Sequence, residues 1–224
     1  LDIVGTGIQN EQVVGSGLFT ITASFGAAGN IKIFDTELLT IKDGGQIVAS
    51  TFGQGQGGNI EVSAGNVEIL GISSNGQFTS AVGSETAGAN SSADAGDVTL
   101  TARNLNIRDR GLISTRSFNQ GKAGNININV DKTLNLTNGN ILNFSRQSSG
   151  GSVSANAERI RLFGDSNIST SVVNGIGGGG DIKLTAKSIL AFGDSDILAF
   201  AQDGRGGNIT FNTPAFFGQN YRAA

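Results

Sequence analysis

The tripeptide Gly-[Asn/Asp/Ser]-[Ile/Val] recurs at Gly29, Gly58, Gly96, Gly124, Gly151, Gly180 and Gly207, at intervals of 29, 38, 28, 27, 29 and 27 residues. A self-similar period of this size marks an array of stacked units, because one unit cannot bury its apolar face alone. Inside each unit the apolar residues alternate with period two, the mark of half-buried strands. A first run contains Ile60-Val62-Ala64, Val98-Leu100-Ala102, Ile126-Ile128-Val130 and Ile182-Leu184-Ala186. A second contains Val67-Ile69, Leu105-Ile107, Leu134-Leu136 and Ile160-Leu162. A third contains Ile47-Ala49, Phe78-Ser80, Ile113-Thr115, Ile141, Ile168-Thr170 and Ile197-Ala199. No helical periodicity competes with them.

Three short strands and three turns in 27–29 residues predict one triangular coil. Equivalent strands of successive coils then pair in parallel about 4.8 Å apart. Roughly seven coils predict a rod of about 35 Å on that spacing. The expected fold class is therefore all-β, a parallel β-helix or β-solenoid, with residues 1–224 forming one segment. The single long interval predicts a loop insertion near 83–95, in the Gly/Ser/Ala-rich stretch Gly83 to Ala95. Pro214 follows the last clear strand, where it breaks no ladder.

Composition narrows the function classes. Charged residues are only 15%, and the 15 basic and 18 acidic side chains are dispersed, for a net charge of −3. No basic stripe suits nucleic acid and no basic amphipathic helix suits lipid. No run of about 20 apolar residues predicts a membrane span. The chain has neither Cys nor His, so thiol chemistry and Ser/His/Asp or Cys/His nucleophile arrangements are unavailable. It opens on Leu1 and lacks Met, as expected of a segment of a larger exported protein.

The units Gly58-Asn59-Ile60-Glu61-Val62-Ser63-Ala64 and Gly180-Asp181-Ile182-Lys183-Leu184-Thr185-Ala186 resemble the repeats of filamentous-haemagglutinin-like large exoproteins. The stretch from Gly44 to Gly53, Gly-Gly-Gln-Ile-Val-Ala-Ser-Thr-Phe-Gly, is similar to the long versions found in cyanobacteria. The closing Asn212-Thr213-Pro214-Ala215-Phe216-Phe217-Gly218 is similar to segments that follow such arrays. The resemblance covers Gly29 to Gly218. It implies a right-handed parallel β-helix, two-partner secretion through an outer-membrane pore, an extracellular or outer cell-surface location, and roles in adhesion, aggregation or matrix.

Polysaccharide-active enzymes also use this fold, so function must be read from sites. Galacturonan hydrolases of the fold carry Asn-Thr-Asp, Asp-Asp and Gly-His-Gly, none of which occurs here. The nearest carboxylate pair in sequence is Asp194 and Asp196, and Arg159 and Arg161 leave their strand with no acidic cluster beside them in sequence. The expectation is that the chain is not an enzyme and has no catalytic residue and no organic cofactor.

Asp43, Asn138, Asp165 and Asp194 each fall fourteen residues after a repeat Gly, with Asn140, Asn167 and Asp196 two later. Such a column suits an Asx-turn ladder. Stacked in adjacent coils, Asp165, Asn167, Asp194 and Asp196 are also the candidate oxygen ligands for calcium. The sharper interaction signal is in the third strand. With Ile47, Ile113, Ile141, Ile168 and Ile197 inward, the outward set includes Phe52, Arg116, Phe118, Leu142, Phe144, Arg146, Leu198 and Phe200. The other faces present Lys32, Glu61, Thr99, Asn127 and Lys183. One aromatic-aliphatic face with Arg among it predicts a contact surface for glycans, cell surfaces or other copies of the chain. Thr51, Thr115 and Thr170 point inward in this register, which disfavours an ice-binding Thr ladder.

The sequence thus predicts a structural and adhesive rod of a secreted or surface-anchored bacterial exoprotein, without nucleic-acid binding or membrane insertion. The alternatives are a self-assembling block of an extracellular fibre, sheath or surface layer and, behind it, a β-helical polysaccharide-active enzyme.

Overall fold

The computed structural model describes residues 1–9, 12–88, 92–174 and 178–218. It is an all-β solenoid of about seven turns, with no helix among the described residues. One sheet stacks, in order, β1 (Asp2–Val4), β5 (Ile31–Lys42), β7 (Ile60–Leu70), β9 (Val98–Arg108), β11 (Ile126–Thr137), β13 (Val153–Phe163) and β15 (Ile182–Ala191), with β17 (Ile209–Asn212) and β18 (Phe216–Gly218) both on β15. The second sheet runs through β4 (Gly17–Thr22), β6 (Gln46–Thr51), β8 (Ala81–Thr86), β10 (Leu112–Ser117), β12 (Asn140–Ser145), β14 (Asn167–Val172) and β16 (Asp196–Ala201). Every neighbouring pair in these two sheets is parallel. A small antiparallel hairpin, β2 (Thr6–Gln9) with β3 (Gln12–Gly15), projects from the first coil.

Each coil has two strand runs rather than the three expected. The first two runs join in one long strand that bends at its middle. Register shifts mark the bend in β5, between Ile33 and Thr36, and in β11, between Asn129 and Thr133. Asp35 takes a positive φ of 56° at the first of these. The bulge turns the chain without breaking the ladder, so no separate turn is needed there.

The repeat tripeptide is explained position by position. The glycines of successive coils lie on one another. A Cβ on Gly124 would sit 2.1 Å from the carbonyl oxygen of Gly96, and one on Gly180 would sit 1.8 Å from that of Gly151. No side chain fits at this corner, and the need for Gly is steric rather than conformational. The next position is a ladder between coils. The backbone N–H of Asn59 donates to Asn30 Oδ1 at 2.8 Å, that of Asp97 to Asn59 Oδ1 at 2.8 Å, and that of Asn125 to Asp97 Oδ1 at 2.6 Å. Asn, Asp and Ser supply such an acceptor at short reach. The third position starts the core. Ile60, Val98, Ile126, Val153 and Ile182 are stacked in register and shielded from water. Each such side chain contributes about 1.5–3 kcal/mol of burial.

The third strand is inward at Ile47, Val82, Ile113, Ile141 and Ile168, but its next inward positions are polar. Ser84, Thr115, Asn143 and Thr170 form one fully buried row. They bond the backbone of the glycine corner. Ser84 Oγ accepts from Gly96 N–H at 2.8 Å, and Thr115 Oγ1 and Thr170 Oγ1 donate to the carbonyls of Gly124 and Gly180 at 2.8 and 2.6 Å. Thr115 and Thr170 therefore point inward as expected.

The insertion lies elsewhere than expected. Gly83 to Thr86 belong to β8, whose Val82 pairs with Ile47 on one side and Ile113 on the other. Phe78-Ser80 is therefore not the third strand of that coil. Ala81 lies 23 residues after Gly58, whereas Leu112, Asn140 and Asn167 each lie 16 after their repeat Gly. Most of the excess is the corner 71–80, closed by an antiparallel bridge between Ile72 and Thr79. The remainder falls between Ala87 and Ala95, of which residues 89–91 lie outside the described residues.

Candidate contact face

The second sheet presents its outward side chains in straight rows, because its strands are in register. One row reads Phe19, Val48, Gly83, Ser114, Leu142, Ser169 and Leu198. The next reads Ile21, Ser50, Glu85, Arg116, Phe144, Ser171 and Phe200. Phe52, Phe118 and Arg146 follow the strand ends at one level, each N–H bonded to the preceding coil. All eight residues expected on this face lie on it. Phe52 is 53% exposed, Leu198 50% and Phe200 43%. The Phe118 and Phe144 rings are tilted against each other with centroids 5.6 Å apart.

The opposite sheet is mostly polar outside, with Phe34 and Leu38 exposed near the β5 bend. Lys32 Nζ lies 3.3 Å from Glu61. At the bend, Glu158 receives Lys187 Nζ at 3.1 Å and Lys132 Nζ at 3.4 Å, with Arg159 at 3.8 Å. Hydrogen bonds from Lys187 and Lys132 hold the Glu158 carboxyl below the usual carboxylate range. These pairs are exposed and screened, so they set surface polarity more than stability.

Between the first four coils the apolar face sinks into a groove of about 390 Å³. Its floor is small because Gly83 stands where neighbouring coils carry Val48 and Ser114. Phe19, Ile21 and Phe52 form one wall, and Gln77 and Thr79 of the 71–80 corner reach its edge. Glu85 and Arg116 are register partners that both line it. No ion pair joins their charged ends among the described residues. Burial pushes the Glu85 carboxyl above its ordinary range, and the Arg116 charge only partly opposes this.

That shift has a sign. A carboxyl whose folded pKa is raised stabilises the fold most below its unfolded pKa and loses that contribution as pH rises through the folded value. Glu85→Gln is therefore expected to melt slightly above the parent at neutral pH. The gap should close when both are acidified through the carboxylate range. Thermal melts across pH check this, and a parent that melts higher at neutral pH would contradict it.

The expected Asp/Asn column is only partly aligned. Asn138 is equivalent to Gly164 and Gly193, not to Asp165 and Asp194, because Thr137 pairs with Phe163. Asp43, Asn138, Gly164 and Gly193 all take positive φ at this corner, from 53° to 76°. The slip has a simple cause. The bulge adds a residue to β11, and its following corner is one residue shorter, so the count from the repeat Gly conceals both. Asn140, Asn167 and Asp196 are equivalent, as expected. The hydrogen bonds run between coils rather than within an Asx turn. Asn138 Oδ1 accepts from Asp165 N–H at 3.0 Å, and Asn167 Nδ2 donates to Asn140 Oδ1 at 3.1 Å. Asn167 Nδ2 also reaches Asp165 Oδ1 at 3.4 Å. Asp165, Asn167, Asp194 and Asp196 thus share one corner, but no group of three acidic side chains placed for a metal ion occurs among the described residues. Ser195 separates the Asp194 and Asp196 pair and bonds backbone carbonyls of Gly164 and Phe192.

Sequence reasoning missed Phe19 and Ile21, and it placed Gly83 and Glu85 in the loop insertion near 83–95 rather than on a strand. The signal for the last two was present. The inward triplets Ile113-Thr115-Ser117 and Ile141-Asn143-Ser145 have the same pattern as Val82-Ser84-Thr86, apolar then hydroxyl or amide then hydroxyl. The chain matches no protein-family model, no curated protein and no solved structure.

Proposed function

We propose that the chain is an adhesive rod of a large exported bacterial protein, and that the outward face of the β4–β16 sheet is its contact surface. The observation that carries this reading is the asymmetry of the two sheets. One shows mainly charged, hydroxyl and amide side chains outside, with Phe34 and Leu38 on β5 as exposed apolar exceptions. The other shows Phe19, Ile21, Phe52, Phe144, Leu198 and Phe200 in register on a stiff scaffold. These residues form two exposed apolar clusters, Phe19, Ile21 and Phe52 at one end and Phe144, Leu198 and Phe200 at the other, and exposed apolar clusters commonly mark interaction sites. Aromatic rings with Arg and Ser among them suit glycans and protein surfaces. Many weak contacts along a rigid rod add through multivalency. The resemblance to filamentous-haemagglutinin-like exoproteins supports an extracellular or outer-surface location and export through an outer-membrane pore.

The test is binding of the labelled chain to bacterial cells and a panel of polysaccharides, beside Phe144→Ser combined with Phe200→Ser. Saturable binding is expected, falling at least about tenfold in the double variant, as loss of two aromatic anchors implies. If nothing binds and sizing shows concentration-dependent oligomers, the self-assembling block of a fibre, sheath or surface layer replaces the adhesive rod.

A further inference from the structure

The groove over Gly83 carries a more specific assignment, which rests on the contact-face reading. Its lining places one negative and one positive group, Glu85 and Arg116, side by side without an ion pair between them. No hydrogen bond among the described residues reaches the Glu85 carboxylate. The hydroxyls of Ser50 and Ser114 line the same floor and are likewise unbonded among the described residues. An anionic ligand would meet Glu85, and a cationic one would meet Arg116. A neutral ligand rich in both donors and acceptors satisfies the two together. Phe19, Ile21 and Phe52 add apolar surface beside these polar groups. An apolar wall with a few convergent polar groups is the usual make-up of a small-molecule site. The groove also crosses the strands of four coils, from β4 to β10, which is about 15 Å at the strand spacing. It also runs along β6 from Gln46 to Phe52, so it is wide enough in both directions to hold several sugar rings.

We propose that this groove binds an uncharged oligosaccharide. Glu85 accepts hydrogen bonds from ring hydroxyls, Arg116 donates to ring or hydroxyl oxygens, and the phenyl side chains cover the C–H faces of the sugar. Gly83 keeps the floor low enough for the chain to lie flat. A Cβ there would already stand 2.8 Å from the carbonyl oxygen of Ser114.

The test is isothermal titration of the whole chain with cellohexaose, maltohexaose, laminarihexaose and chitohexaose, beside polygalacturonate and dextran sulfate. Binding of at least one neutral hexasaccharide is expected, with little or none of the two polyanions. Glu85→Gln keeps the shape of the side chain and removes its charge. It should weaken that binding at least about tenfold, the worth of a charge-assisted hydrogen bond. Ser50→Leu points outward into the groove and should block binding without disturbing the core. The assignment is overturned if no neutral hexasaccharide binds at millimolar concentration, if the polyanions bind more tightly, or if Glu85→Gln binds within twofold of the parent. Phe144 and Phe200 lie outside the groove lining. Loss of cell binding in their double variant, with no effect of Glu85→Gln, would leave the contact face standing and remove the groove.

Discussion

Replacing Gly124 with Ala is expected to destabilise the protein by about 3–5 kcal/mol, at the upper end of single substitutions. The added methyl has no low-energy place. It would meet the Gly96 carbonyl oxygen at 2.1 Å, the Gly96 carbonyl carbon at 2.5 Å and the Ala95 oxygen at 2.9 Å. These are backbone atoms of the coil beneath. They cannot move aside as a flexible side chain would. The two coils must part locally, and stability in a stacked array is the sum of such interfaces. Gly26→Ala is the matched control, because its Cβ would meet nothing closer than Thr22 Oγ1 at 3.8 Å. Denaturant melts of both variants check the contrast. Equal, small losses would mean that the glycine column is not close-packed.

Asn143→Asp is the second large effect. Asn143 is fully buried. Its amide donates to Thr115 Oγ1 at 2.7 Å and to the Gly124 carbonyl, and its oxygen accepts from Gly151 N–H at 2.9 Å. One side chain thus ties its strand to two successive glycine corners. Aspartate keeps the shape and the acceptor but loses the donor, and it brings a charge into the interior opposite a carbonyl oxygen. A loss of about 3–5 kcal/mol is expected at neutral pH. The introduced carboxyl has a folded pKa above its unfolded one. The loss is therefore greatest at neutral pH and shrinks as pH falls through the carboxylate range. Asn143→Thr should cost only about 1 kcal/mol. Thr already occupies the equivalent sites 115 and 170, where it donates to a corner carbonyl. Melts of the three proteins across pH provide the check. A pH-independent loss in the aspartate variant would show that its side chain escapes to water.

The fold was legible because each position of the repeat answers one constraint that sequence displays directly. Glycine marks the corner where coils touch, Asn or Asp marks the ladder between coils, and Ile or Val begins the core. The in/out register of the third strand was legible for the same reason, since Ile113, Ile141 and Ile168 alternate with polar or aromatic neighbours. What stayed hidden depends on compensating changes of length. The extra residue at the β11 bend cancels the shorter corner after it, so counting from Gly124 or Gly151 mismatches Asn138 with Asp165. In the long coil, Phe78 mimics a strand residue, and the true strand carries Gly83 and Ser84, which read as loop. The groove was invisible for a further reason. Its lining comes from residues spread between Phe19 and Arg116, brought together only by stacking.

The proposed contact face is where fold and function meet, because straight rows of outward side chains exist only if the coils stack in register. Hydroxyl-radical footprinting of the chain, free and in the presence of the cells or polysaccharide proposed as its partners, tests this most directly. The account predicts protection of Phe52, Phe144 and Phe200 on one sheet, and unchanged labelling of Phe34 and Leu38 on the other. Protection centred on Phe34 and Leu38, with Phe144 and Phe200 still open to label, would contradict it.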